Sequence, residues 1–398
     1  PRRMSSKPPR AKDRARPGPG KDPGRKPNRR KAAAKAAARG AGGPGAQAKP
    51  DGRSTPATAA KPAQPAGWVV RSAPGLGRTL LAELRRDCLL ARTDRCDLLW
   101  QRNHDLLFAP RLARTPAADE LRIAEDLHRC LAYGRYKVSD SQLDRLAQIL
   151  RGQRRRLVVT ADGGHFNRHD LARFLARELG RRGVTLDDSA SAPLLVFCIE
   201  QAYYACVPIR AADAAAGRDH RQVEREGSLP PPIAAAMAFM TRPADDDTIL
   251  DPVCGSGTLL AEAGGYARGA RLIGIDQDLQ AVKTARRNLK SFPTAEIDHA
   301  DARALALPAD SVTLALANLP FGKQYGDVAE NRSLYTEVLR ELRRVAAPKR
   351  FRAALLVSDR GLLRDSAKAA GLRLTHDTAI RVRGEDAVIA LVALPAGG

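Results

Sequence analysis

From Thr248 onward the chain alternates short apolar runs with longer amphipathic ones, and this alternation restricts the fold more than any other feature. The spacing predicts strands over Thr248–Pro252, Arg271–Asp276, Ala295–His299, Val312–Ala317 and Arg352–Ser358. Helices are expected between them, over Thr258–Arg268, Leu279–Ser291, Ser333–Ala347 and Gly361–Ala370. Strands separated by helices imply an α/β fold with a parallel, doubly wound sheet. Two closing runs, Ala379–Arg383 and Ala387–Leu394, are split only by Gly384-Glu385-Asp386 and predict a C-terminal hairpin on that sheet.

A doubly wound sheet binds its ligand at the carboxyl ends of the strands. Asp251 closes the first expected strand, and Gly255-Ser256-Gly257 lets backbone approach a ligand before the next helix begins. Asp276 closes the second strand 25 residues on, where a carboxylate can accept both hydroxyls of a ribose. Asp301 follows the third, another 25 residues on, placed to meet an adenine amino group. Three acids at successive strand ends repel a pyrophosphate. The glycine spacing also departs from a dinucleotide-binding turn, because Leu260 stands where the third glycine would be. The set suits a ribose-bearing cofactor without net negative charge, and it points to S-adenosylmethionine.

Asn318-Leu319-Pro320-Phe321 ends the fourth strand. An exocyclic amine becomes a nucleophile when acceptors hold its hydrogens and leave its lone pair facing an electrophile. The Asn318 carboxamide and the Leu319 carbonyl can be those acceptors, and Pro320 stiffens the turn between them. Phe321 can stack on a base rotated out of its helix. Alignment rather than a strong base then carries the reaction.

The chain upstream is of a different kind. Residues 1–66 hold 18 Lys and Arg against 3 Asp, +15 of the total +23, and contain no Leu, Ile, Val or Phe. Such a segment cannot bury enough apolar surface to offset its ordering entropy, so a disordered basic arm is expected, able to touch phosphates or simply to solubilise. Order is expected from Trp68, with a strand, the turn Ala73-Pro74-Gly75 and a helix to about Arg86. Paired strands over Leu98–Arg102 and Leu106–Ala109, then helices over 118–132 and 139–151, complete a small α+β unit at 67–150. A second unit at 151–209 has a strand at Arg155–Thr160, a helix at Arg168–Gly180 capped by Asn167, and a hairpin of Leu194–Ile199 with Ala202–Val207. Arginines crowd it and form a candidate basic face. Residues 210–226 read as a linker, and Leu229–Ile233 leads into an apolar helix. The six cysteines show neither CxxC spacing nor a short Cys/His cluster, so no disulfide framework or metal site is expected. His165 and His169 read as surface or cap residues. No run approaches the length of a membrane helix and no signal peptide is evident, so a cytoplasmic protein is expected, acting as a monomer.

DPVCGSGT at 251–258, the acid at Asp276 and NLPFG at 318–322 resemble the motifs of class I S-adenosylmethionine-dependent amino-methyltransferases that act on nucleic acid. The resemblance extends to the THUMP-containing RNA guanine-N2 methyltransferases, with the motifs lying within Gly227–Leu394. It implies a Rossmann-like methyltransferase domain at 227–398, preceded by a ferredoxin-like domain at 67–150 and a THUMP-like RNA-binding domain at 151–209. It further implies cofactor binding by Asp251, Cys254, Gly255, Gly257, Thr258, Asp276 and Asp301. Asn318, Pro320 and Phe321 would hold the target base, with Leu319 beside it and Lys323 on a phosphate. Transfer RNA is the first substrate this suggests, ribosomal RNA the second. One departure keeps alternatives open. Relatives acting on adenine or glutamine carry two prolines after the polar residue, and Leu319 replaces the first here. Adenine-N6 methylation of DNA or RNA, protein glutamine methylation, and RNA binding without catalysis therefore stay as competing readings.

Overall fold

The computed structural model describes residues 66–100, 104–117, 120–161, 164–209, 227–319 and 328–395. The expected linker and nearly all of the basic arm lie outside these residues, as do Pro320, Phe321 and Lys323. The first described elements are β1 (Gly67–Ser72), α1 (Gly77–Arg86), β2 (Asp97–Trp100), β3 (Asp105–Ala109) and β4 (Asp126–Arg135). They are followed by α2 (Asp140–Leu150), β5 (Arg154–Ala161), α3 (Arg168–Arg181), β6 (Thr185–Leu186), β7 (Pro193–Ile199) and β8 (Ala202–Pro208). All eight strands form one sheet in the order β2-β3-β1-β4-β8-β7-β5-β6. β4 pairs with β1 on one side and β8 on the other, so the sheet runs unbroken through both upstream units. Local signals start the helices as read. The Asn167 side chain accepts from the His169 and Asp170 amides, and Ser139 with Gln142 forms a capping box at α2.

One expected helix is absent. A helix is expected over residues 118–132 from the spacing of their apolar positions, yet the chain enters β4 at Asp126. The reason is the strand's central place. Leu127, His128, Cys130, Leu131 and Ala132 are all at most 2% exposed, so apolar residues fall on both faces and do not alternate. A bulge between Cys130 and Ala132 shifts the register as well, and a short buried run of this kind can mimic helical spacing.

The second half matches its expected plan. It comprises α4 (Pro231–Thr241), β9 (Thr248–Asp251), α5 (Thr258–Tyr266), β10 (Arg271–Asp276), α6 (Leu279–Asn288), β11 (Ala295–His299) and β12 (Leu314–Asn318). Then come α7 (Val328–Val345), β13 (Arg352–Val357), α8 (Arg360–Ala369), β14 (Arg373–Val382) and β15 (Glu385–Ala393). The sheet order is β11-β10-β9-β12-β13-β15-β14, parallel through β13, with the closing hairpin antiparallel. Chain order reverses between β9 and β12, which defines a switch-point crevice at their carboxyl ends. No helix among the described residues is long and apolar enough to cross a membrane.

A single apolar core joins the two halves. Val70, Leu76, Leu80, Leu84 and Leu107 pack in one cluster with Ile233, Met237, Leu260, Ile380 and Ile389. α4 lies inside this junction, and its apolar residues on every side fit a helix enclosed all round. Polar groups are locked in alongside. Glu83 of α1, fully buried, accepts from the Arg122 and Ile123 amides at 3.1 Å and from the Tyr266 hydroxyl at 2.6 Å. Arg122 Nε donates to buried Glu262 of α5 at 2.9 Å, and the guanidinium of Arg86 lies 4.7 Å from the ring centres of Phe239 and Tyr266. Gly265 makes room for Arg122, since a Cβ there would collide with the guanidinium.

Burial outweighs these three donors and pushes the Glu83 carboxyl from its ordinary 4.5 up to about 7. The folded chain therefore takes up a proton here between those values. That stabilisation is complete below pH 4.5 and is lost as the pH rises through about 7. Urea unfolding at about pH 5 and about pH 8.5 should show the midpoint falling with pH in the wild type. In Glu83→Gln the fall should shrink, and an equal fall in both proteins would contradict the assignment.

Candidate functional site

The carboxyl ends of β9, β10 and β12 bring most of the expected residues together. Asp251 ends β9 at 1% exposure, and its Oδ1 accepts the Val253 amide at 3.1 Å. Burial, with Asp276 adding to it, drives the Asp251 carboxyl well above the usual carboxylate range. The turn that follows is held from three sides. The Cys254 amide donates to the Ile275 carbonyl at 2.8 Å, the Gly257 amide to the Cys254 carbonyl at 2.8 Å, and the Asn288 side chain to the Ser256 carbonyl at 2.9 Å. Gly255 and Gly257 take φ of +53° and +80°, where glycine alone is unstrained.

The two glycines differ in what surrounds them. A Cβ on Gly257 would press on Leu289, whereas a Cβ on Gly255 would enter open space. Gly255 thus exposes bare backbone toward the crevice. Its amide donates to Asp276 Oδ2 at 2.8 Å, and Asp276 Oδ1 accepts the Asp278 amide at 2.9 Å. Asp276 is consequently fixed against the turn, with unused lone pairs for neighbouring hydroxyls. Thr258 begins α5, and its hydroxyl meets Ser256 Oγ at 3.1 Å, which in turn meets Ser228 Oγ at 3.0 Å. Cys254 is 5% exposed, and burial raises its thiol far above the ordinary value.

Asp301 is placed differently. It lies beyond β11 with its carboxylate engaged by Arg303, whose Nη2 is at 2.6 Å, and this pairing holds it below the usual carboxylate range. Contact with an adenine amine would require sharing that acid with Arg303.

Across the crevice, Asn318 closes β12. Its Oδ1 is buried and has no hydrogen-bond partner among the described residues. An orphaned buried acceptor costs about 1–3 kcal/mol, and this one sits at a strand end beside the switch point, where a donor would relieve that cost. The Leu319 amide donates to the Leu356 carbonyl at 3.1 Å and its side chain packs in the core at 1% exposure. Any part Leu319 plays in holding a substrate therefore falls to its carbonyl. Pro320, Phe321 and Lys323 follow outside the described residues.

Sequence reading missed Asn288 and Ser228, the latter linked through Ser256 to the expected Thr258. Asn288 carried a usable signal, because it shares the inward face of α6 with Ala281, Val282 and Ala285. The basic face of the upstream unit is partly neutralised. Arg154 pairs with Asp187, Arg173 with Asp170, Arg177 and Arg181 with Glu178, and Arg182 with Asp140, Asp144 and Glu178. His165 Nε2 lies 2.7 Å from the Tyr136 carbonyl, and His169 accepts from Arg168 Nε at 3.1 Å. Among the described residues, no three His, Cys, Asp or Glu cluster as a metal site would require.

Known proteins match this arrangement. The RMKL-like methyltransferase domain family matches residues 218–386. The tRNA (guanine(6)-N(2))-methyltransferase THUMP3 of Bos taurus is 28% identical over 176 residues, covering 40% of this chain and 35% of that protein. The tRNA (guanine(10)-N2)-dimethyltransferase of Methanothermobacter thermautotrophicus is 34% identical over 116 residues, 28% of this chain and 34% of its own. The chain thus spans about a third of the length of these curated relatives. The crystal structure of TrmN from Thermus thermophilus superposes with a TM-score of 0.66 at 24% identity, covering 83% of this chain and 100% of that one. That likeness establishes the fold across both halves. Residues 218–386 thus match the RMKL-like methyltransferase domain family, the described residues take a class I methyltransferase fold, and part of the chain is similar to tRNA guanine-N2 methyltransferases.

Proposed function

We propose that the chain is an S-adenosylmethionine-dependent RNA methyltransferase acting on the exocyclic N2 of a guanosine, with transfer RNA as its substrate in the cytoplasm. The observation that carries this reading is the buried Asn318 Oδ1, unpartnered among the described residues, at the end of the strand that flanks the switch point opposite the strand bearing Asp276. The residues fit such a cofactor. Asp276, already anchored by two amides, accepts ribose hydroxyls, while bare backbone at Gly255 leaves room for the ligand. Asp251, buried beneath the turn, fixes its geometry, and Cys254 and Thr258 complete the wall. Asp301 takes the base edge if Arg303 shares it.

S-adenosylmethionine supplies, when bound, an electrophilic methyl on a sulfonium whose carbon–sulfur bond breaks to leave a neutral thioether. Asn318 Oδ1 and the Leu319 carbonyl accept the two amine hydrogens and so turn the nitrogen lone pair toward the methyl. That lone pair forms the new N–C bond, and the amine gives up one proton to solvent. Pro320 and Phe321, next in sequence, carry the stiffened turn and the stacking face, and Lys323 a phosphate. Residues 67–150 and 151–209 serve in this reading as ferredoxin-like and THUMP-like parts of one RNA-holding unit. The relatives named for guanine-N2 transfer support the choice of that amine over adenine N6.

The test is product identity. The full chain is incubated with methyl-labelled S-adenosylmethionine and, separately, transfer RNA, ribosomal RNA, DNA or protein, and the products are digested. Label in N2-methylguanosine from transfer RNA is expected. Label confined to N6-methyladenosine, DNA or protein, or RNA binding without transfer, would overturn the reading.

A further inference from the structure

Aromatic side chains are 4% of this chain, and most described ones are buried, yet Tyr136 is 55% exposed at the tip where β4 leaves the sheet. Its backbone takes φ of +65°, a left-handed region that bulky side chains seldom adopt. Two other loops hold it there. The Tyr136 amide donates to the Gln201 carbonyl at 2.7 Å, at the turn between β7 and β8. The Tyr136 carbonyl meets His165 Nε2 at 2.7 Å, and the His165 amide donates to the Glu200 carbonyl at 2.8 Å. Gly164 permits this closure, since a Cβ there would strike Glu200.

The rings are ordered as well. Tyr136 and His165 meet edge-on at 5.8 Å, His165 and Phe166 at 5.0 Å, and Phe166 and Tyr203 at 5.9 Å. Tyr203 anchors the row in the core at 1% exposure. A row of rings rooted in the core at Tyr203 thus runs outward and presents its last member to solvent from a braced, strained position. Exposed Arg135 and Lys137 flank it in sequence, and exposed Arg168 begins α3 three residues beyond His165. Stacking faces set among cations suit an unpaired nucleobase with its phosphate, because stacking ignores base identity and a duplex hides its base faces.

We propose that Tyr136, braced by His165, is a stacking site for an unpaired nucleotide of the substrate RNA, with Arg135, Lys137 and Arg168 about its phosphates. This rests on the reading of the chain as an RNA-modifying protein and adds a contact on the upstream sheet, separate from the sheet that bears Asn318. A single-stranded segment of the RNA is thereby gripped by the upstream sheet, independently of the base presented to Asn318.

Fluorescence anisotropy of the full chain with a labelled single-stranded oligouridylate and a blunt RNA duplex tests it. Salt of about 0.2 M keeps the phosphate contacts of the basic arm from dominating. Tyr136→Ala is expected to weaken single-strand binding about tenfold and leave duplex binding unchanged, with Tyr136→Phe close to wild type. Equal affinity in wild type and Tyr136→Ala, equal loss on both RNAs, or a wild type without affinity for the single strand would each overturn the inference. Methyl transfer by wild type with single-strand binding insensitive to Tyr136 removes this site and leaves the proposed function standing. Tyr136-dependent binding without transfer keeps the site and removes the proposed function.

Discussion

Asn318→Ala is expected to lower kcat for methyl transfer by about 10²–10³, with affinity for S-adenosylmethionine nearly unchanged. The magnitude is the usual cost of deleting one preorganised hydrogen-bonding group at a reacting centre. The structure gives the reason for the split between rate and binding. Asn318 Oδ1 is buried without a partner among the described residues, so the fold already bears its desolvation, and a substrate amine gains the whole interaction. None of the contacts that shape the cofactor turn passes through Asn318. Those run from Asp276, Asn288 and the Ile275 carbonyl. Single-turnover transfer measured beside calorimetric titration of the cofactor separates the two effects. A variant with normal kcat would remove Asn318 from the reaction. One that no longer binds cofactor would assign it to the turn instead. Asn318→Asp keeps an acceptor and should retain more of the rate than alanine.

The largest stability effect is expected far from the crevice. Arg122→Ala leaves Glu262 without the guanidinium that meets it at 2.9 Å, and Glu262 is fully buried. Removing one member of a buried ion pair costs about 3–5 kcal/mol, because the remaining charge must be neutralised or exposed. Truncation also opens the space beside Gly265 and withdraws a cation from the Tyr266 ring, 5.4 Å away. The urea midpoint should drop accordingly. Replacing both residues with apolar ones of similar volume, Arg122→Met with Glu262→Leu, should recover much of the loss. A single variant within 1 kcal/mol of wild type, about the scatter of ordinary surface substitutions, would show that the pair is not coupled to the fold.

The crevice was legible in the sequence because its chemistry is local. Asp251, Gly255, Asp276 and Asn318 each sit at a strand end or in the adjoining turn, and a parallel sheet aligns all such ends without further information. Three other features had no local signature. β4 is apolar on both faces, so its spacing imitates a helix. β14 begins at Arg373, six residues ahead of the expected Ala379, because its first half is an exposed edge without apolar alternation. The junction of Glu83, Arg122, Glu262 and Tyr266 joins residues 183 positions apart at its widest, and only the folded chain brings them together. The engagement of Asp301 by Arg303 is local, two residues apart, yet composition does not reveal which way an exposed acid turns.

The place where the Pro74–Gly75 turn meets β14 has a consequence for how a neighbouring chain could pair with this sheet. β14 is the outermost strand of its sheet, and an open strand edge is a template for pairing with another chain. Here the Arg381 amide donates to the Pro74 carbonyl at 3.3 Å, and the Ala379 carbonyl lies so close to Gly75 that no Cβ would fit between them. The upstream half therefore shields part of that edge from neighbouring molecules, a protective role that is separate from any part it plays in holding RNA.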